Sequence, residues 1–246
     1  IGRSQMRDKV PEVPFAPVWP AFDDIAVPQM VAFTHGNGAG SKAFQSYLDG
    51  HPELLMVPAY PLMYFYPHWY QWKEEYADRW TWDTIIELFF EFHASVIDST
   101  RIPGYNGLMG LGKDKDRSLK VDESVFRSLL VHFVREQKVS SRTFLLAIHY
   151  ALEIASGGEL SSKRVLFYHI HICEYVSDYL KSDFPDLLVV TMARDPRSNL
   201  WGRYYSSNIS VNRHKMDATD AVIINGRAFF FVWRRFTRNL QEFRQY

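Results

Sequence analysis

Four short apolar runs, Met30 to Thr34, Leu54 to Val57, Val165 to His169 and Leu187 to Ala193, punctuate a chain whose remaining apolar residues mostly recur at helical spacing. Runs of this length, apolar on both faces and bounded by glycine, proline or charge, predict strands buried in a sheet, and LLVVTMA is the most β-rich of them. Between them, spacing of three and four predicts helices over Ser41 to Asp49, Thr81 to Val96, Asp122 to Glu136, Ser140 to Ala155, Ile172 to Ser182 and Arg227 to Phe243. Strands that alternate with helices build a parallel sheet covered on both faces, an α/β architecture. Ligands of such sheets bind beyond the carboxyl ends of the strands.

The remaining segments set the domain plan. Residues 1–29 hold five prolines and little periodicity, which predicts an extended arm packed through Phe15, Trp19 and Phe22. Residues 30–246 then read as one domain, with aromatic-rich and glycine-rich insertions over 59–120. Four of the seven tryptophans fall in AYPLMYFYPHWYQWKEEYADRWTW, residues 59–82. Flat aromatic faces suit a sugar ring or an apolar acceptor, and core packing or an oligomer interface uses the same residues equally well. RIPGYNGLMGLGKDKDRSLK, residues 101–120, reads as a long mobile loop, either a lid or a plain surface excursion.

Composition narrows the function. With 246 residues the chain can bury a large core. Lys plus Arg and Asp plus Glu both total 28, so no global field recruits nucleic acid or an anionic membrane, and any anion site has to be local. The single cysteine, Cys173, excludes an internal disulfide and a multi-cysteine zinc site, and leaves the compartment open, the cytoplasm being the slight preference. No apolar run approaches the roughly 20 residues of a membrane span. The chain begins at Ile1, as expected of a fragment or a processed protein.

Candidate chemistry starts where the first strand ends. Gly36, Asn37, Gly38, Ala39 and Gly40 lead into Ser41, Lys42 and a helical pattern. A glycine loop between strand and helix lets backbone N–H groups and a helix N-terminus converge on an anion, although it also serves as a purely structural turn. It is not a Walker A loop, because the lysine is one place late and no hydroxyl follows it. The last strand run delivers Arg194-Asp195-Pro196 to its carboxyl end. An arginine there can clamp a phosphate bidentately, or pair with Asp195 or a helix cap.

Taken in order, these stretches resemble the sulfotransferases that use 3'-phosphoadenosine 5'-phosphosulfate (PAPS). The glycine loop running into FQSYLDGHPEL is similar to that family's 5'-phosphosulfate loop and helix, with LDGHPE as in many bacterial and glycan-modifying members, and ARDPR is similar to its 3'-phosphate strand end. The likeness spans about Met30 to Ser207. It implies a P-loop-like three-layer fold with a central parallel sheet flanked by helices. It also implies donor binding by residues 36–42, Arg194 and Ser198. YHIHICE, residues 168–174, sets His169 and His171 where the family often has a lysine and then a histidine. His171 becomes the implied general base, with His169 and Lys42 as further catalytic candidates and His35 behind them. Two strand-end histidines satisfied by backbone hydrogen bonds are the other reading.

Three positions depart from the family pattern. Gly38 replaces its lysine or arginine, Ser41 and Lys42 replace its hydroxyl pair, and Gly202 replaces the serine on the 3'-phosphate, for which Ser198 or Ser206 can stand in. The resemblance implies sulfuryl transfer from PAPS to an acceptor hydroxyl, preferably a carbohydrate, with 3',5'-ADP as product, no metal, no nucleic acid, and oligomerisation left open. Two rivals stay beside it: a Mg-ATP-dependent phosphoryl transferase, and a catalytically silent nucleotide- or glycan-binding module of the same fold.

Overall fold

The computed structural model describes residues 18–35, 39–58, 61–101, 109–111, 117–170, 179–192, 194, 195 and 198. Most of the helix expected at Ile172 to Ser182 and all of that at Arg227 to Phe243 lie outside these residues, as do Phe15 and Cys173.

Four strands, β1 (Gln29–His35), β2 (Leu54–Met56), β5 (Val165–His169) and β6 (Leu188–Met192), form one sheet in the order β2-β5-β1-β6. Every pair in it is parallel, with Phe33 opposite His169 on one side of β1 and His35 opposite Met192 on the other. A parallel neighbour must be reached by a crossover, so the chain passes β5 to reach β2 and later passes β1 to reach β6. The connections leaving adjacent β1 and β5 therefore run in opposite directions. That divergence opens a crevice at the carboxyl ends of the two strands.

Alternation along the strands assigns the faces. Phe33 and Phe167 pack with tilted rings 5.2 Å apart and meet Phe44 of α1 (Ser41–Leu48), which covers one face. Met30, Ala32, Leu166 and Tyr168 point the other way, into a single apolar cluster with α2 (Phe65–Glu75), α3 (Trp82–His93), α4 (Glu123–Val134) and α5 (Ser141–Ala155). Side-chain caps start three of these helices: Thr81 accepts from the Thr84 amide, Asp122 from Ser124 and Val125, and Ser140 from Thr143. Trp19, Phe22 and Ile25 of the arm pack against the cluster, and Phe22–Asp24 makes one 3-10 turn.

Of the readings open for the aromatic run, core packing holds for Phe65, Tyr66, Trp69 and Trp72, which α2 buries as a helical stripe, so this part is not an exposed acceptor face. Pro67 sits in its first turn, where an amide hydrogen would have no partner within the helix. The 101–120 segment is not a plain loop either, because β3 (Met109–Leu111) and β4 (Arg117–Ser118) pair antiparallel, and Asp98 bridges to Lys120.

The core carries polar groups that need partners. Tyr66 and Ser141 hydroxyls both donate to Asp183 Oδ2, at 3.0 and 2.6 Å, tying α2 and α5 to α6 (Lys181–Asp183). Burial nonetheless raises the Asp183 carboxyl above its usual range. His149 donates from Nδ1 to the Leu145 carbonyl one turn back (2.7 Å), and His93 from Nδ1 to the Pro61 carbonyl (3.2 Å). Burial lowers the pKa of His149 to about 4, and burial followed by the His68 ring lowers that of His93 to about 3.

Both histidines therefore fold neutral but unfold into chain that binds a proton below about pH 6.5. The stability this neutrality represents is whole above that pH and drains away as pH falls towards about 4 for His149 and about 3 for His93. Each should steepen acid destabilisation by about 1.4 kcal/mol per pH unit inside its window. Urea midpoints measured from pH 7 to pH 4.5 should show this slope, and His149→Met should flatten it by about one proton.

Candidate functional site

The sheet's carboxyl edge gathers residues that are far apart in sequence. β1 ends at His35, and α1 begins at Ser41 after Gly40, whose φ of +95° is the left-handed conformation glycine adopts without strain. Among the described residues no side chain caps α1, and no acidic residue occupies its first turn. Its first amides are thus left with the positive end of the helix dipole, a composition suited to an anion. Ser41 is buried, whereas Lys42 is exposed on the first turn. Ala39 is half-buried, and Gly36, Asn37 and Gly38 lie outside the described residues.

One residue that sequence reasoning missed holds this edge together. Gln45, one turn into α1 and 3% exposed, donates from Nε2 to the Val57 carbonyl at 2.9 Å, and its Oε1 accepts from His169 Nδ1 at 2.6 Å. An amide oxygen cannot donate, so His169 carries its proton on Nδ1. α1, the turn after β2 and the end of β5 are thereby joined by one side chain. Its signal in the sequence is faint, since a glutamine within a short helix reads as a solvent-facing position.

His169 is 3% exposed and meets the ring of His35 edge-on at 5.0 Å, with Phe33 also 5.0 Å away. The structure thus brings His35 and His169 together in the crevice between β1 and β5, while His171 lies outside the described residues. On the other side of β1, the Thr34 and Thr191 hydroxyls meet at 2.9 Å and lock β1 to β6. Arg194 follows two residues after the end of β6 and is exposed. Asp195 accepts from the Ser198 amide at 2.9 Å, and Ser198 is exposed. Gly202 and Ser206 are outside the described residues.

The glycine-loop helix and the RDPR strand end, about 150 residues apart in sequence, therefore stand at the same edge on neighbouring strands. Among the described residues no helix is long and apolar enough to cross a membrane, and no three His, Cys, Asp or Glu side chains group as metal ligands. The chain matches no protein-family model, and no curated protein or solved structure shows significant similarity to it.

Gln45→Leu should leave the Val57 carbonyl and the His169 Nδ1–H buried without partners, lowering stability by roughly 1–3 kcal/mol for each in urea unfolding. Gly40→Ala has open space around a Cβ, with no atom within 4 Å. Its cost should be the backbone term alone, roughly 1–2 kcal/mol in the same assay.

Proposed function

We propose that the chain is a sulfotransferase that moves a sulfuryl group from PAPS to a hydroxyl, with a carbohydrate as the preferred acceptor class. The observation that carries this reading is the adjacency of β1 and β6: a glycine loop entering a helix whose N-cap is Gly40 on one, and Arg194 two residues past the end of the other. A donor with phosphates at both its 5' and 3' positions needs two anion sites a nucleoside apart, and a P-loop-like sheet would supply them at one edge. Residues 36–42 would hold the 5'-phosphosulfate through backbone amides and the Lys42 ammonium. Arg194 would hold the 3'-phosphate, with Ser198 beside it. The lack of an acidic side chain in the first turn of α1 and the lack of a Cβ at Gly40 both fit that cargo.

In this reading the acceptor oxygen forms a bond to sulfur as the bond from sulfur to the 5'-phosphate oxygen breaks. The products are the sulfate ester and 3',5'-ADP. His171 takes the acceptor proton, a role suited to an imidazole at neutral pH. Fixed donors and Lys42 stabilise the charge gathering on the transferred group, so the reaction requires no metal.

3',5'-ADP should raise the melting temperature without added metal. Stronger stabilisation by Mg-ATP would instead identify a phosphoryl transferase, and a flat response to every nucleotide a silent module. Arg194→Ala should weaken 3',5'-ADP by roughly 10- to 150-fold at fixed salt and leave 5'-AMP nearly unchanged, the worth of one charge-assisted contact. Equal losses for both nucleotides would remove Arg194 from the site. His171→Ala should cut turnover by on the order of 10² with donor affinity retained, and full activity would move the base to His169 or His35.

A further inference from the structure

A second polar site lies in the helical layer, where His68 of α2 meets His93 at the end of α3. His68 Nδ1 and His93 Nε2 are 3.0 Å apart, and His93 Nδ1 faces the Pro61 carbonyl. A carbonyl only accepts, so the His93 proton sits on Nδ1. His93 is 2% exposed and neutral, which leaves its Nε2 as a lone pair and obliges His68 to donate from Nδ1. The one lone pair remaining on a neutral His68 is then on Nε2. No hydrogen bond to that atom is made among the described residues, and His68 is half-buried. A single backbone carbonyl, acting through two rings, fixes that atom as an acceptor.

Aromatic rings frame that acceptor. Trp72 stacks on His68 at 5.6 Å and 23°, while Tyr64 and Phe92 lie 6.1 and 5.2 Å from it and remain 41% and 46% exposed. The cradle is tied to the sheet edge, because Pro61 precedes Leu62, whose carbonyl accepts from the Tyr168 hydroxyl at 2.8 Å, next to His169. Partly exposed aromatic faces beside a neutral, oriented acceptor match a ligand with apolar C–H faces and a hydroxyl to donate.

We propose that Tyr64, His68 and Phe92 form a carbohydrate-binding cradle in which His68 Nε2 accepts a hydrogen bond from a sugar hydroxyl. Its role as the sulfuryl-acceptor site rests on the sulfotransferase reading, whereas sugar binding stands on the cradle alone.

The test titrates the full chain with methyl β-D-glucopyranoside and with its per-O-methylated form, which keeps the ring and loses every hydroxyl, following the His68 and His93 imidazole nitrogens by NMR. The free protein should show both rings protonated on Nδ1. The glucoside should bind saturably and move the His68 Nε2 resonance, and the methylated sugar should bind at least about 5-fold more weakly, the loss of one hydrogen bond. His68→Phe, which keeps a ring at this half-buried position, should weaken the glucoside likewise with its 3',5'-ADP affinity unchanged, at a melting temperature lowered by the His93 Nε2 left without its donor, and His68→Gln should restore part of the binding. Failure of 3',5'-ADP to bind while the glucoside does would remove the sulfotransferase role and retain the cradle. No saturable binding up to the sugar's solubility, equal affinity for the two sugars, or undiminished binding by His68→Phe would overturn the proposal.

Discussion

Parallel pairing on both sides of β1 is the constraint from which the rest of this molecule follows. Because β5 and β6 run alongside β1 in the same direction, each connection must travel the length of the sheet before the next strand can begin. Those returns supply the helical layer that buries Met30, Ala32, Leu166 and Tyr168. They also set the ends of β1, β5 and β6 side by side, which gathers His35, His169, Arg194 and the start of α1 at one edge. The locks found there, Gln45 across α1 and β5 and Thr34 on Thr191, hold an arrangement that the pairing has already made.

The strands were readable because a parallel strand needs an unbroken apolar run, and all four runs became strands, Val165–His169 with the expected limits and the other three with limits shifted by one residue; β6 differs from the buried strand expected there in leaving Leu188, Val189 and Val190 exposed. The starts of α3, α4 and α5 were readable because Thr81, Asp122 and Ser140 are residues that cap. α2 was not, since its residues are aromatic nearly all round and a proline stands in the first turn, so that composition masked the period. The hairpin of β3 and β4 escaped because its strands are only three and two residues long.

For the site, the loop and the arginine could be read because glycine and strand-end charge are local signals. Gln45, His68 and His93 could not. Each is defined by a partner that only the fold brings near: Gln45 by His169, 124 positions away, and His68 by His93 on another helix. The buried histidines make the point more generally. A sequence presents histidines as candidates for catalysis, whereas burial keeps His149 and His93 neutral, each with its Nδ1 proton directed at a carbonyl, and they serve the core.

The packing of the indoles divides what light can report about this protein. Trp69 lies 5.0 Å from Trp80 and 6.5 Å from Trp82, and Trp72 is buried on the same helix, so these four share one compartment of the helical layer. Excitation absorbed by one passes readily to its neighbours, and their joint emission follows the hydration of that compartment. Among the described residues the carboxyl edge of the sheet has phenylalanine and histidine rings and no indole. Emission from this cluster would therefore track loosening of the helices and stay nearly blind to events beside Arg194.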